Sequence, residues 1–209
     1  MNNNQPPKRI PVILDTDIGT DIDDTWALAF LLRCPELDIK LITTATGNTH
    51  ERARIVAKFL EAAGRTDIPI GIGIPLEGSP CYQSEWVKGY DFEKYPGKIL
   101  ANGIQAIIDL INTSSEETVV LGIAPLPNLA AVLMQDPSIV NRSRFIGMFG
   151  SIHKGYFGSG DVAAEYNVKL YPYSCREVFS SQWNKTITPL DTCGIVQLKR
   201  GEVSEYSGQ

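Results

Sequence analysis

Cysteine is scarce in this 209-residue sequence, and its four copies lie far apart. They are Cys34, Cys81, Cys175 and Cys193, and no two of them form a C-x-x-C pair. This spacing excludes a disulfide framework and the paired-cysteine pattern of structural zinc sites. We therefore expect a reducing compartment, and the cytoplasm is the default location.

Long apolar runs and an excess of basic residues are missing as well. No stretch approaches the ~18 to 20 apolar residues of a membrane span. The Pro-rich start, MNNNQPPKRIP, has no apolar signal core. The chain carries 19 Lys and Arg against 24 Asp and Glu, a net charge of −5, with no basic stripe. We expect neither a membrane nor a nucleic acid as partner.

What is present is an alternation of strand and helix patterns, in a composition of 43% hydrophobic and 21% charged residues that is ordinary for a globular protein. Strands are predicted at 12–14, 39–44, 68–72, 118–121 and 145–149, and helices at 21–32, 51–63, 100–111 and 128–134. The aperiodic segment 73–97 is predicted to be a long loop. This order predicts a single α/β domain over residues 1–209, with an open, mainly parallel, Rossmann-like sheet flanked by helices.

Two of the predicted helices carry further signals. The helix over 21–32 is predicted to have an apolar face, formed by Trp26, Ala27, Phe30 and Leu31. The helix over 51–63 is followed by Gly64, a residue typical of helix ends because glycine adopts the left-handed conformation without strain. Both helices are therefore expected to lie against the sheet as amphipathic connections.

Five aspartates crowd into ten residues directly after the first predicted strand. They are Asp15, Asp17, Asp21, Asp23 and Asp24. The carboxyl end of a strand is where open α/β sheets bind their ligands. Helix capping explains one of Asp21 and Asp23 but not all five acids. Because so many carboxylates repel one another unless a cation, protons or a helix N-terminus offsets them, a hard divalent ion is the simplest interpretation.

Two other motifs place acids in a similar pattern. An EF-hand loop needs a preceding helix and a glutamate at its twelfth position, whereas a strand precedes these acids. The haloacid dehalogenase phosphatases begin with a D-x-D whose first aspartate is a nucleophile after a strand, but Gly19 stands where Thr or Val is usual. An Asp-nucleophile phosphatase is therefore the weaker alternative.

The aspartate segment resembles the opening signature of the inosine-uridine nucleoside hydrolases. That signature is D-x-D-x-G, followed by a paired Asp-Asp and an apolar helix. Here it reads Asp15-Thr16-Asp17-Ile18-Gly19, then Thr20-Asp21-Ile22, then Asp23-Asp24. The two residues inserted before the pair are typical of one branch of the family.

Three later segments extend the resemblance, although each alone would be an ordinary turn or glycine loop. Gly47-Asn48 follows the second strand, as in the family. The segment from Ile123 to Asn128 resembles the family's G-P-L-T-N, with Pro127 in place of threonine. Ala164-Glu165-Tyr166-Asn167 resembles its A-E-F-N. Two further departures are Ser159 in place of an asparagine and Tyr171 in place of an aspartate.

The resemblance implies hydrolysis of the N-glycosidic bond of a purine or pyrimidine ribonucleoside, giving ribose and free base by means of a calcium-bound water. It implies that Asp17 and Asp24, with the backbone carbonyl of Pro127, hold Ca²⁺, and that Asp17 is also the base for water. Proline keeps its carbonyl, so the substitution at 127 is compatible with metal binding. The resemblance further implies that Asp23, Asn48, Glu165 and Asn167 bind the sugar, and that Asp15 supports the site.

The resemblance covers only the first part of the family's length. The family has a late segment that supplies a further aspartate to the metal and, in some members, a leaving-group acid. We therefore expect a C-terminal truncation, and neither His50 nor His153 fits the missing role by motif. The alternative is a catalytically impaired member that binds a ribosyl ligand or a metal.

Two expectations concern the base and the assembly. The aromatic residues of segment 73–97 are equally compatible with covering a base and with covering the core. They are Tyr82, Trp86, Tyr90 and Phe92. Because family members are commonly dimers or tetramers, a homo-oligomer is implied, without a fixed number of subunits.

Overall fold

A seven-stranded sheet forms the centre of the structure, a computed structural model that describes residues 8–196. The strands are β1 (Ile10–Thr16), β2 (Leu37–Thr44), β3 (Ile70–Ile72), β4 (Ile99–Leu100), β5 (Thr118–Gly122), β6 (Ser143–Met148) and β7 (Asn184–Thr188). Their order is β4-β3-β2-β1-β5-β6-β7, and every neighbouring pair is parallel. The predicted α/β fold with an open parallel sheet is confirmed.

In the part of the chain that the structure describes, seven α-helices connect or follow these strands. They are α1 (Asp23–Arg33), α2 (Thr49–Ala62), α3 (Gly103–Thr113), α4 (Pro127–Gln135), α5 (Tyr166–Leu170), α6 (Pro172–Ser180) and α7 (Leu190–Cys193). Within residues 8–196, no helix has the length and apolar character needed to cross a membrane. The sequence patterns had not predicted β7 or the last three helices.

The central strand β1 is buried on both faces. Val12 and Leu14 belong to one apolar cluster, which also contains residues of α1 and α2, whereas Ile13 belongs to a second cluster with residues of α3 and α4. Successive side chains of a strand point to opposite faces, so a continuous apolar run is what a strand between two helical layers requires. The run Val12 to Leu14 therefore fixes β1 in the middle of the fold.

The start of α3 differs from the prediction. The helix begins at Gly103, because the side chain of Asn102 caps it by accepting a hydrogen bond from the backbone N–H of Gln105 at 3.1 Å. Leu100, which was predicted to begin the helix, instead pairs with β3 together with Ile99 as the short edge strand β4. The prediction of a helix from residue 100 was therefore wrong by three residues.

The buried face of α1 also differs from the prediction. Leu28 and Leu31 are buried, as is Asp24 one turn earlier, whereas Trp26 is 50% and Phe30 is 70% exposed. Positions 24, 28 and 31 follow the helical spacing of one face, so the helix turns this stripe toward the sheet. The prediction was right for Leu31 and wrong for Trp26 and Phe30.

The segment between β3 and β4 is irregular, as predicted, apart from short 3₁₀ turns at Ser84–Val87 and Phe92–Lys94. Tyr90 and Phe92 pack against the apolar cluster beneath α2. Trp86 lies beside Lys58, whose Nζ is 4.7 Å from the ring centroid, and Tyr82 is 76% exposed. Two of these four aromatic residues therefore cover the core.

Candidate active site

A cleft of about 550 Å³ opens at the carboxyl ends of the central strands. Its walls come from the turn after β1, from Ile123 after β5, from Met148 at the end of β6 and from Leu190 after β7. Strands β2 to β4 lie on one side of β1, and strands β6 and β7 lie beyond β5 on the other side, so the strand order reverses between β1 and β5. Open α/β sheets form a ligand crevice at such a switch point. Five predicted site residues line the cleft: Asp17, Asp23, Asp24, Glu165 and Asn167.

Asp15 lies beneath the cleft and is fully buried. Its Oδ1 accepts hydrogen bonds from Thr43 Oγ1 at 2.5 Å and from Asn128 Nδ2 at 2.8 Å. Its Oδ2 has no hydrogen-bond partner among the described residues. Burial raises the pKa of Asp15 to about 7, although the two hydrogen bonds act in the opposite direction.

Asp17 begins a tight turn at the end of β1. The Thr20 hydroxyl donates to Asp17 Oδ2 at 3.0 Å, and the Thr20 backbone N–H donates to the Asp17 carbonyl at 3.3 Å. Gly19 has φ +102°, and a Cβ there would come within 2.6 Å of the Ile55 side chain. The turn therefore requires glycine, which gives a physical reason for the G of the D-x-D-x-G pattern.

A buried arginine holds this turn from below. Arg52, on α2, is fully buried, and its Nη1 donates to the backbone carbonyls of Asp17 and Ile18, the latter at 2.9 Å. Its Nε donates to the Thr46 carbonyl at 2.9 Å. Its guanidinium thus lies under the aspartate turn and joins it to the loop before α2.

Asp23 and Asp24 occupy the first turn of α1, where the unpaired N–H groups of the helix favour negative charge. Asp23 Oδ1 accepts a hydrogen bond from the Asp24 backbone N–H at 3.1 Å. Asp24 Oδ2 accepts one from the hydroxyl of Thr16, the last residue of β1. The pair is therefore held against the end of the central strand.

The acids of the cleft raise one another's pKa values. Burial is the largest cause for Asp17 and Asp24, and the charge of Asp17 adds to the increase at Asp24. Asp21, which also lines the cleft, has a pKa raised to about 7 by burial and by its neighbour Asp23. The charge of Arg52 and the Thr20 hydrogen bond oppose the increase at Asp17. Among the described residues, Arg52 is the one buried cation, and its charge offsets the increase in the pKa of Asp17 only in part.

Glu165 and Asn167 line the cleft from the start of α5. Glu165 caps this helix, because its carboxylate accepts hydrogen bonds from the backbone N–H groups of Asn167 at 2.8 Å, Val168 at 3.2 Å and Gly150 at 3.0 Å. The Nδ2 of Asn167 donates to the carbonyls of Ile123 and Met148 at 3.1 and 3.2 Å. These contacts fix both side chains at the ends of β5 and β6.

Two predicted site residues are not among the described residues that line the cleft. Asn48 is exposed, and its side chain caps α2 by accepting from the Glu51 backbone N–H at 3.1 Å. Pro127 is the first residue of α4 and is buried. The contacts of Asn48 explain its position as a helix cap. Its role in sugar binding and that of the Pro127 carbonyl in metal binding stay predictions.

Two carboxylates of the cleft are donors of the kind that calcium prefers. The carboxylates of Asp17 and Asp24 are hard oxygen donors at one cleft, and they are close enough to interact electrostatically. Within residues 8–196, no three His, Cys, Asp or Glu side chains converge as they would around a fully coordinated ion. Calcium accepts backbone carbonyls and water as its remaining ligands, so the donor chemistry fits this ion.

Several residues of the site were missed by sequence reasoning. Asp21 lies within the signature but had been considered only as a helix cap, whereas the cap position of α1 is Ile22. Tyr156 and Phe157 line the cleft from a short 3₁₀ turn that had no sequence signal. Arg52 is far from the signature in sequence and shows its contacts only in the folded chain. His50, which fitted no catalytic role by motif, is the exposed second residue of α2.

The sequence matches the family described as inosine-uridine preferring nucleoside hydrolase over residues 12–209. It is 35% identical over 193 residues to the non-specific ribonucleoside hydrolase RihC of Klebsiella pneumoniae subsp. pneumoniae, a match that covers 88% of this chain and 62% of that protein. It is 35% identical over 184 residues to RihC of Salmonella agona, covering 81% of this chain and 57% of the relative. The chain thus spans about 60% of the length of these relatives.

Solved structures share the fold. An inosine-uridine preferring nucleoside hydrolase from Bacillus anthracis superposes with a TM-score of 0.78 at 18% identity, covering 95% of this chain and 70% of that one. A purine-preferring ribonucleoside hydrolase from Gardnerella vaginalis gives a TM-score of 0.70 at 23% identity, over 87% and 61% of the two chains. Because the family match extends over nearly all of the sequence, the chain belongs to the inosine-uridine preferring nucleoside hydrolase family.

Proposed function

We propose that the protein hydrolyses the N-glycosidic bond of ribonucleosides, releasing ribose and the free base. Family membership supports this function, and so do relatives named non-specific ribonucleoside hydrolases. The observation that carries the proposal is the cleft in which Asp17, Asp23 and Asp24 meet Glu165 and Asn167. Such a cleft offers carboxylates to a water molecule and polar groups to a sugar.

The chemistry follows from the bond that must break. Departure of the base leaves positive charge on the ribose ring, and carboxylates at the same site stabilise that charge electrostatically. Asp17 is the proposed general base, which takes a proton from the water that attacks the anomeric carbon. The leaving base carries away the electron pair of the C–N bond and takes a proton from solvent, and Asp17 then releases to solvent the proton that it took from water. Asp23, Glu165 and Asn167 are proposed to bind the ribose hydroxyls and hold the ring above Asp17.

Calcium is the proposed cofactor. Asp17 and Asp24 would hold it, together with the backbone carbonyl of Pro127. When bound, the ion would lower the pKa of a water molecule and neutralise part of the carboxylate charge. Asp15, whose Oδ2 is buried without a partner, is proposed to support the site from below rather than to touch the substrate.

In this structure, the aspartate that would be the nucleophile of a phosphatase is not accessible to a substrate. Asp15 is the aspartate that this alternative requires to attack a phosphorus atom, yet it is fully buried and its Oδ1 is occupied by Thr43 and Asn128. A side chain without access to the cleft cannot perform an in-line attack on a substrate. The nucleoside hydrolase interpretation is therefore favoured.

The proposal is tested by release of ribose from inosine and from uridine in the presence of Ca²⁺. We expect Asp17→Ala to lower kcat/KM by roughly 10²-fold or more, because it removes the proposed base. Asp109→Asn, on the exposed side of α3, is the matched control and should retain wild-type activity. Absence of ribose release from both substrates would contradict the proposal. Stabilisation of such an inactive protein by Ca²⁺ or ribose would favour the ligand-binding alternative.

A further inference from the structure

We propose that Ser79 is a positioning residue that fixes the Asp17 carboxylate through Thr20, and that it thereby couples the segment between β3 and β4 to the aspartate turn. Ser79 belongs to a segment without regular structure, and it had no role in the sequence analysis. Its hydroxyl is nevertheless the meeting point of four parts of the chain. The inference rests on the proposed function, because it assigns a role toward the proposed base.

The contacts of Ser79 Oγ converge from three sides. Arg52 Nη2 donates to it at 2.8 Å, the Tyr166 hydroxyl donates to it at 3.1 Å, and Thr20 Oγ1 lies 3.2 Å away. Ser79 is 8% and Thr20 is 9% exposed, and Arg52 is fully buried. Bonds in such a setting are shielded from competing water, so they hold their partners in defined positions.

The direction of these hydrogen bonds follows from the chemistry of the partners. Arginine only donates, and with the Tyr166 hydroxyl it fills both acceptor positions of Ser79 Oγ. The proton of Ser79 is then directed to Thr20 Oγ1. Thr20 in turn donates its own proton to Asp17 Oδ2 at 3.0 Å or to the Asp17 carbonyl at 3.1 Å. The chain of donors starts at Arg52 and Tyr166 and ends on Asp17.

Further backbone contacts hold the segment that carries Ser79. The N–H of Thr46 donates to the Ile74 carbonyl at 3.1 Å, and that of Gly47 donates to the Leu76 carbonyl at 2.6 Å. The N–H of Gln83 donates to the Gly19 carbonyl at 3.2 Å. Backbone contacts before and after Ser79 therefore fix the position of its hydroxyl relative to the turn of residues 17–20. Tyr166 stands where the family motif has phenylalanine, a side chain that has no hydroxyl to donate to Ser79.

The test compares Ser79→Ala, Thr20→Val and the double variant with the wild type. Ser84→Ala is the matched control, because Ser84 lies in the same segment and, within residues 8–196, its hydroxyl bonds only to the Cys81 carbonyl. Two quantities are measured: amide hydrogen exchange across residues 17–22 and across 76–84, and kcat and KM for ribose release from inosine. The exchange measurement does not depend on activity.

We expect Ser79→Ala and Thr20→Val to speed exchange in residues 17–22 and to lower kcat roughly fivefold, the effect of about one hydrogen bond, with little change in KM. The double variant should lose no more kcat than the more affected single variant, because both substitutions break the same chain. Ser84→Ala should match the wild type in residues 17–22 and in kcat.

Faster exchange confined to residues 76–84 in Ser79→Ala would overturn the inference, since Ser79 would then order only its own segment. Unchanged kcat in an active protein, or fully additive losses in the double variant, would overturn it as well. If the wild type releases no ribose, the proposed function fails, and the exchange in residues 17–22 still decides whether Ser79 positions the turn.

Discussion

At the scale of single residues, Asp15 is a carboxyl group that is buried beneath the cleft and is not among the described residues that line it. The group is fully buried between Thr43 and Asn128, and one of its oxygens has no partner among the described residues. Burial without a counter-charge disfavours the ionised form. The protonation state of Asp15 therefore makes the free energy of unfolding depend on pH.

The expected pH dependence follows from the raised pKa of Asp15. The unfolded chain releases this proton near pH 4, whereas the folded protein retains it until its pKa of about 7. Between these values the unfolded state binds fewer protons than the folded state, so the free energy of unfolding falls as pH rises from about 4 to about 7. Asp15 alone contributes a slope of about 1.4 kcal/mol per pH unit within that window. Above pH 7, Asp15 is ionised in both states and causes no further change.

Urea unfolding at pH 5, 6 and 8, with a chelator present, measures this slope. Because Asp17, Asp21 and Asp24 also have raised pKa values, the wild type combines several contributions. The difference between the wild type and Asp15→Asn isolates that of Asp15, and Asp109→Asn should keep the wild-type slope. An unchanged slope in Asp15→Asn would show that Asp15 is ionised in the folded protein.

At the scale of elements, helix α1 shows that a site residue can determine which face of a helix is buried. Asp24 shares the buried stripe with Leu28 and Leu31, because the helix must turn this carboxylate toward the end of β1. Trp26 and Phe30, which are larger and more apolar than Ala27, are left largely exposed. The spacing of the apolar residues alone therefore predicted the wrong buried face for this helix.

The orientation of α1 is tested by two neighbouring substitutions. Phe30→Ala should change the free energy of unfolding by no more than about 0.5 kcal/mol, because an exposed side chain loses little packing. Leu31→Ala should cost about 2 to 5 kcal/mol, because it opens a cavity in the core. Urea unfolding of both variants compares them directly. Equal costs would mean that Phe30 is covered by another part of the protein or by a second molecule.

At the scale of the whole molecule, the sequence predicted best the strands that are buried along most of their length. The alternation of strand and helix patterns predicted a parallel sheet. The apolar runs that marked β1, β2 and β5 are largely buried, as expected for strands that are covered on both faces. Strand β7 (Asn184–Thr188) escaped notice because its residues alternate between exposed and half-buried at the sheet edge, and β4 is only two residues long.

The candidate site was predictable to the extent that its residues belong to local motifs. Asp17, Asp23 and Asp24 follow one strand, and Glu165 and Asn167 share one short segment, so each group is visible as a pattern. Arg52 and Ser79 belong to no pattern, since their role comes from contacts between segments that are distant in sequence. Asn48 carried a motif, but the fold uses its side chain as a helix cap.

Calcium binding would act on the stability of the whole molecule. An ion that binds only the folded protein raises its free energy of unfolding by about 2.7 kcal/mol at a concentration of 100 times its Kd. Starting from chelator-treated protein, we expect added Ca²⁺ to raise the Tm of the wild type and to leave that of Asp24→Asn nearly unchanged.

Long-range attraction must be separated from binding at the site, because the chain has a net charge of −5 and draws cations to its whole surface. Asp109→Asn removes the same single negative charge as Asp24→Asn, but from an exposed position on α3. The two variants therefore have the same formal net charge, and a difference between their Tm responses comes from the position of the lost carboxyl group. A wild-type response preserved in Asp109→Asn and lost in Asp24→Asn would assign the ion to the cleft, whereas equal responses in all three proteins would place it elsewhere.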